Sequence, residues 1–395
     1  MSALAYCTIL ARNYLPKALT LAASVRRHGA GEPLVVFLID ATPETALPDV
    51  EGVRWMCPYD LDLTERQIHD LAMFYELVEL ATAVKPLVLA KLLTEHERAA
   101  YLDPDTYLTS PMDELTPALD EGAGIVLTPH YLRPTPPGHH FGEGHLLNVG
   151  VFNLGFCAVN RDAAEFLDWW WGHLSTECLY DPIAGLFVDQ KWVDIGAVLF
   201  HATSLQHPGY NVGVGNLHER PLTRADGEYR IDGAGEQLRL FHFHAFDPHR
   251  PEALYTRSDA RAENLTIDNA ALEALSTEYA AQVLDNDRLL GPQPDYIYRD
   301  DTTGRRITRR MRHAYRSAVL GGDESAPSPF VPADAERYEA WRKGAWKLAG
   351  RLMASDAAKG LRLALPEEFI NLKRRLPGLS RTLRSKYVDS GGMWG

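Results

Sequence analysis

The chain has 395 residues, 46% of them apolar and 24% charged, with a formal net charge of −13. That is the composition of a globular protein with room for one large domain plus an accessory region, or for two domains. No uninterrupted apolar run approaches the roughly 20 residues of a membrane span, and Met1-Ser2-Ala3-Leu4-Ala5-Tyr6-Cys7 lacks the basic start of a secretion signal. Cys7, Cys57, Cys157 and Cys178 lie far apart without metal-ligand spacing, so a reduced, cytoplasmic protein is expected.

The charge is uneven. From Arg305 onward there are 19 basic and 9 acidic residues, leaving 21 and 44 in the rest. This basic tail either docks on its own acidic body or offers a surface to anionic lipid headgroups at the inner face of a membrane, or to an acidic acceptor. Nucleic acid is not an expected partner. The basic residues are not interleaved with a recognition module, and the acidic body repels phosphate backbones.

In chain order, Leu4 to Leu10 reads as a strand. Asn13 can then cap a helix with Pro16 in its first turn, apolar residues at Leu19, Ala22, Ala23 and Val25, and an end at Gly29. Leu34 to Ile39 reads as a strand closed by Asp40, and Val53 to Met56 as another. Helical patterns over about Thr64 to Ala83 and Pro86 to His96 precede a strand ending at Asp103. Strand and helix alternating through short connections predict an α/β fold with a parallel sheet, whose ligands sit outside the carboxyl ends of the strands. Asp40 and Asp103 both stand at such ends.

Gly124 to Leu127 reads as a further strand. Pro129 to Leu147 is rich in proline and glycine and holds His139, His140 and His145, so it reads as a lid or acceptor loop or as a variable insertion. Val151 to Val159 is a buried strand interrupted by Asn153 and Gly155, which suggests a close approach by a ligand or another backbone. Trp169, Trp170 and Trp171 anchor the next helix or form a sugar-stacking platform. Asp189 and Gln190 follow among apolar neighbours, and Leu238 to Phe243 is a strand running into His242-Phe243-His244-Ala245-Phe246-Asp247-Pro248. Beyond Leu254 the pattern is helical, and Ser325 to Pro332 reads as a linker. The expected division is 1–254 as catalytic domain, 255–322 as a helical extension packed on it, and 323–395 as a basic helical tail.

The most informative stretch is Tyr101-Leu102-Asp103-Pro104-Asp105-Thr106. Two carboxylates one residue apart at the end of an apolar strand repel each other, and a divalent cation held by hard oxygen ligands relieves that repulsion. The alternative is an Asx-type turn after an edge strand. The six residues leave both open.

Tyr101-Leu102-Asp103-Pro104-Asp105-Thr106, Phe152-Asn153-Leu154-Gly155-Phe156, Asp189-Gln190 and the segment from His242 to Pro248 come in the order seen in nucleotide-sugar glycosyltransferases of the GT-A fold. The chain resembles the bacterial group related to glycogenin-like and lipopolysaccharide galactosyltransferase-like enzymes. Cys7 to Tyr14, Lys85-Pro86 and Gly209 to Arg220 are similar to that group as well, and the likeness spans about residues 4 to 250. The resemblance implies a GT-A, Rossmann-like catalytic domain with a mostly helical C-terminal extension. It implies an enzyme, a hexosyltransferase, moving sugar from a nucleotide diphosphate donor, UDP by resemblance, to a hydroxyl of a glycan, lipid-linked or small-molecule acceptor. Thr8, Asn13 and Asp40 would meet base and ribose. Asp103, Asp105 and His242 would hold Mn²⁺ or Mg²⁺ against the diphosphate, the mixed oxygen and imidazole set favouring Mn²⁺. Lys85 would neutralise phosphate or sugar charge, and Asn153 and Gly155 would line the donor sugar. Asp189 and Gln190 would face the reacting carbon, with the anomeric configuration retained. His139 and His140 are the acceptor candidates.

Two positions depart from the family's late motif. Ala245 stands where a glycine is common, and Asp247 where a lysine precedes the proline. A carboxylate cannot grip a leaving diphosphate, so Lys85, Lys191 and Arg220 are the candidate substitutes. A haloacid-dehalogenase-type phosphatase is disfavoured, since Tyr107 occupies the place its motif needs for Thr or Val. A nucleotidyltransferase or sugar-nucleotide hydrolase on the same fold, and a non-catalytic scaffold of transferase fold, are the remaining alternatives.

Overall fold

The apolar runs at the start of the chain form β1 (Leu4–Leu10), α1 (Leu15–His28), β2 (Leu34–Leu38) and β3 (Val53–Met56) in a computed structural model that describes residues 4–29, 31, 33–139, 141–256, 267–323 and 325–375. Pro16 lies in the first turn of α1, where its missing N–H costs no helical hydrogen bond, and Gly29 ends the helix. Asn13 does not cap it. A short 3-10 turn, Arg12–Tyr14, intervenes, so Asn13 stands exposed inside that turn and Tyr14 holds the cap position without a side-chain bond.

The helix expected over 64–83 is two, α2 (Glu65–Phe74) and α3 (Leu77–Ala83), because Tyr75 is extended (φ −120°, ψ 143°) and wholly buried. α4 (Lys85–Leu93), β4 (Arg98–Leu102), β5 (Thr106–Leu108), α5 (Leu115–Glu121) and β6 (Ile125–Pro129) follow. The expected loop after β6 is shorter than the sequence suggested, since Gly142 caps a helix, α6 (Glu143–Val149). Next come β7 (Phe152–Asn160), α7 (Ala164–Glu177), the paired β8 (Tyr180–Asp181) and β9 (Leu186–Phe187), α8 (Gln190–Leu199), β10 (Thr203–Ser204) and β11 (Val212–Gly213). β12 (Leu222–Ala225) and β13 (Glu228–Ile231) form a hairpin the sequence reading missed. Its signal is Asp226-Gly227, both at positive φ (54° and 84°), as a tight hairpin turn requires. β14 (Leu240–His242), α9 (Ala270–Leu290), α10 (Arg309–Leu320), α11 (Ala335–Ala364) and α12 (Pro366–Arg375) complete the order.

Seven strands make one sheet in the order β10-β6-β7-β4-β1-β2-β3. β4, β1, β2 and β3 pair in parallel, while β7 runs antiparallel to β4 and β6. β2 and β3 lie on one side of β1 and β4 on the other, so the strand order reverses beside β1. Ligands of such sheets bind outside the carboxyl ends at a reversal of this kind. A second sheet, β11-β14-β5, sets β14 antiparallel to β5 and opposes His242 to Thr106, the residue after Asp105. That register brings the late motif to the paired carboxylates.

Contacts divide the chain into two compact units, residues up to Leu63 with Leu77–Tyr296, and Thr64–Glu76 with the chain from Ile297. In the first unit one core joins β1, β2 and β4 to α1, and another joins the second sheet to α9 through Tyr107, Phe241, Phe243, Leu275 and Tyr279. In the second unit α2 packs with α10, where Tyr315 donates to Asp70 Oδ1 at 2.9 Å. The segment read as a linker is packed there: Ala326 and Ser328 are buried, and the Ser328 hydroxyl lies 3.2 Å from His69 Nδ1. Small residues allow the backbone to lie close against His69, which the composition alone presents as flexibility. All four cysteines are buried and none is in a disulfide, and no described helix is long and apolar enough to cross a membrane.

Candidate active site

β4 ends at Leu102, and the next residues turn sharply. Thr106 donates to the Asp103 carbonyl through both its N–H (3.0 Å) and its hydroxyl (2.7 Å). The turn is therefore closed on backbone oxygen, and the Asp103 carboxylate is free of the Asx-turn role the sequence left open. Its Oδ1 accepts instead from the Tyr101 hydroxyl at 2.6 Å. Beyond the turn, Phe243 donates to the Asp105 carbonyl at 2.8 Å, which ties β14 to the motif.

The three expected metal ligands come together. His242 Nε2 lies 3.2 Å from Asp105 Oδ1 and 3.5 Å from Asp103 Oδ2. One donor atom from each residue falls within 4.8 Å of the other two. Nε2 is buried, yet it makes no directed hydrogen bond among the described residues. Gly155 makes this possible. Asp103 donates to its carbonyl at 2.9 Å, and a β-carbon at 155 would stand 2.4 Å from the His242 ring. Gly155 thus gives room to the imidazole packed against β7.

Burial pushes Asp103 up from the usual carboxylate range, with the like charge of Asp105 adding to it against the pull of His242 and Lys85. Asp105 feels the same burial, but the His242 charge beside it prevails and holds it below the usual range. Burial opposes protonation of His242, and the two carboxylates overcome that and raise it. The imidazolium thus supplies positive charge to a place that asks for it. Two carboxylate oxygens and an imidazole nitrogen fit a divalent cation, whose binding displaces that proton.

The donor-site candidates flank this point. Thr8 is wholly buried in β1, its Oγ1 without a hydrogen-bond partner among the described residues. Asp40, after β2, is 1% exposed, accepts from the Arg12 N–H at 3.0 Å and lies 3.6 Å from Arg12 Nε. It therefore clasps the exit of β1. Asn153 Oδ1 accepts from the Gly155 N–H at 3.0 Å.

Lys85 and Asp189, given separate roles by the sequence, form one ion pair at 2.6 Å with side chains 1% and 3% exposed. Lys85 also donates to the Leu154 carbonyl at 3.2 Å and lies 4.1 Å from the Tyr101 ring centroid. Burial works against its charge, but Asp189 and Asp103 outweigh it and raise its pKa. Gln190 accepts from the Leu154 N–H at 3.2 Å and donates to the Val149 carbonyl at 2.8 Å, joining β7 to α6. Trp170 is buried and donates to the Asp189 carbonyl at 3.4 Å, an anchor rather than a platform.

Two of the cations proposed to replace the family's late lysine, Lys191 and Arg220, are engaged elsewhere. Lys191 reaches the Leu147 carbonyl (3.3 Å) and Asp194 (3.4 Å). Arg220 is buried against Glu219 and the Tyr210 carbonyl, with only Nη2 lacking a partner among the described residues. Besides Lys85, which acts on Asp103, the cluster feels Lys17, in the first turns of α1, whose charge favours the ionised Asp105. The sequence reading passed over it because it sits in a helical pattern; its place just after β1 was the available signal. Asn211 was also missed as a site residue, and its Oδ1 lies 3.1 Å from His242 Nδ1.

On the acceptor side, the His139 ring packs on His218 at 4.1 Å between centroids, and its Nδ1 accepts from the Phe141 N–H at 3.2 Å. His140 lies outside the described residues. His130, at the start of this loop, is pushed down to about 3 by burial and then by the positive charges of His145, His242, His244 and Arg220.

No family model matches the chain. It is 24% identical over 255 residues to YfnF of Bacillus subtilis (strain 168), described as an uncharacterized protein, across 61% of this chain and 81% of that one. Among solved structures it is similar to a glycosyltransferase involved in glycosylation of the major capsid of PBCV-1 (11% identity, TM-score 0.34, 62% of this chain and 95% of that one). It is similar also to WbbM, a bifunctional glycosyltransferase (14%, 0.37, 62% and 46%), and to mouse xyloside xylosyltransferase 1 (15%, 0.37, 62% and 97%). Superpositions at these TM-scores are too loose to transfer a residue role. The mixed α/β architecture with a parallel-rich sheet and a helical C-terminal region is the expected one, and these structural neighbours are all glycosyltransferases.

Proposed function

We propose that the chain is a metal-dependent glycosyltransferase moving a hexose from a nucleotide diphosphate donor, a UDP-sugar, to a hydroxyl of a glycan, lipid-linked or small-molecule acceptor. The observation that carries this is the convergence of Asp103, Asp105 and His242, from β4 and β14, at the carboxyl edge of the sheet. These residues hold Mn²⁺ in preference to Mg²⁺, given the imidazole among the oxygens. When bound, the cation offsets the negative charge that develops on the leaving diphosphate. Lys17 adds positive charge that acts on Asp105, whereas Asp247 brings none to the late motif.

Retention at the anomeric carbon is the stereochemistry this arrangement supports. Inversion needs a general base within hydrogen-bond reach of the acceptor hydroxyl. Asp189, the motif carboxylate suited to that work, is buried and bonded to Lys85. The chemistry belongs to the first compact unit, with Thr8, Asn13 and Asp40 on the nucleotide side and the His139–His140 loop on the acceptor side.

The second unit supports contact with a membrane surface. Trp346, Met353 and Leu361 are exposed on α11 beside Lys347, Arg351 and Arg362. Apolar residues flanked by cations on one helix suit the interface of anionic lipid.

Turnover tests the assignment. Asp105→Ala is expected to fold as the unaltered protein does and to release no nucleoside diphosphate from any sugar nucleotide the unaltered protein uses. Normal turnover by folded Asp105→Ala sinks the metal role, and release of nucleoside monophosphate points to a hydrolase or nucleotidyltransferase.

A further inference from the structure

The metal role just proposed for His242 requires one particular protonation of its ring, and Asn211 decides it. Asn211 follows Tyr210 and is 1% exposed, in a left-handed conformation (φ 51°) that asparagine tolerates better than most residues. Its Nδ2 lies 2.9 Å from the Asn153 carbonyl and 2.9 Å from Thr128 Oγ1. A carbonyl can only accept, so the amide must turn its NH₂ to Asn153 and its oxygen to His242. Oδ1 then stands 3.1 Å from Nδ1, and because an amide oxygen only accepts, Nδ1 must carry the proton. Asn211 is itself held, since Asn216 donates to its carbonyl at 3.1 Å and accepts from the Gly213 N–H at 2.9 Å.

A neutral imidazole facing two carboxylates, left to itself, would protonate Nε2 and donate to them. We propose that Asn211 is a positioning residue that forbids this choice. It keeps the proton on Nδ1, so Nε2 presents its lone pair beside the Asp103 and Asp105 oxygens. In the neutral ring three acceptors then converge with no donor among them, a set that a divalent cation satisfies in place of a proton on Nε2. Thr128 and Asn153 belong to the same device, because they orient the amide that orients the ring. Supporting partners of metal-bound histidines act in this manner, and their loss weakens metal binding about 10- to 100-fold.

The test is nitrogen NMR of metal-free protein labelled in the histidine ring, at a pH where His242 is neutral, with its signal assigned by its disappearance in His242→Asn. The unaltered protein should show Nδ1 protonated and Nε2 bare. Asn211→Gly removes the acceptor at a backbone angle glycine adopts readily. It should move the proton to Nε2 and weaken Mn²⁺ binding, measured by calorimetry, about 10- to 100-fold. Asn211→Asp, which keeps an acceptor oxygen, should keep the proton on Nδ1. Nε2 protonated in the unaltered protein overturns the proposal without recourse to any variant. Asn211→Gly with an unmoved proton or unchanged Mn²⁺ affinity overturns it as well. If the unaltered protein binds no Mn²⁺ but the proton moves in Asn211→Gly, the metal reading fails and the hold of Asn211 on the ring is upheld.

Discussion

One methyl group at position 155 should separate the site from the fold. A β-carbon there stands 2.4 Å from both Cε1 and Nδ1 of His242 and 3.1 Å from Asn153 Oδ1. Non-bonded carbons settle at about 3.5–4 Å, so the ring must withdraw by about 1 Å. It has little freedom to do so, being held by the Asn211 bond at 3.1 Å and by the pairing of β14 with β5. Gly155 is not in the left-handed region, so alanine costs nothing in backbone conformation, and the penalty is overpacking, about 1–3 kcal/mol. A misplacement of about 1 Å in a functional group costs on the order of 10²-fold. Gly155→Ala should therefore weaken Mn²⁺ binding by at least about 10-fold while its thermal midpoint falls by only a few degrees. Calorimetry with Mn²⁺ and scanning calorimetry on the same preparation measure both. Unchanged Mn²⁺ affinity in a folded Gly155→Ala protein refutes the reasoning, because the imidazole could then not be where the ligand set needs it.

Asp189→Asn leaves the buried Lys85 ammonium without its counter-charge and should cost about 3–5 kcal/mol in denaturant unfolding, most of it recovered in Lys85→Met combined with Asp189→Leu; wild-type stability of Asp189→Asn contradicts the buried pair. His130 has its folded pKa depressed to about 3, below the roughly 6.5 of an unfolded histidine. Its contribution is therefore whole above pH 6.5 and lost as the pH falls towards about 3, where the unfolded chain takes up a proton the folded one refuses. His130→Gln should flatten the acid side of the stability profile across that window, and an unaltered slope counts against the shift. Changing Lys347, Arg351 and Arg362 together to Glu should abolish co-sedimentation with vesicles containing phosphatidylserine. Equal sedimentation of the altered protein removes the case for membrane contact through α11.

What the sequence made legible was mostly local. β1 and β3 match the expected bounds because apolar runs of strand length between turn residues leave few other choices. The spacing of Asp103 and Asp105 left a cation site and an Asx-type turn both open, and the order of motifs singled out His242, which the fold brings beside both carboxylates. Other features depend on which strands become neighbours. The His242–Thr106 register, the Lys85–Asp189 pair and the need for glycine at 155 are all set between distant segments, and no window along the chain contains both halves. Asn211 was hidden for the same reason, since an asparagine among glycines reads as a turn until its side-chain partners are known. Asn13 and the Ser325–Pro332 segment failed in the opposite direction. Residue types there favour caps and linkers, and packing places them otherwise.

The most direct measurement of the central claim is calorimetric titration of UDP into the purified protein with and without Mn²⁺, repeated with GDP and with Asp105→Ala. Binding of UDP that needs both Mn²⁺ and Asp105 is the predicted result, and it fixes the panel of donor sugars to screen. No binding of either nucleotide by the folded protein, with Mn²⁺ present, contradicts the account and leaves a transferase fold that serves as a scaffold.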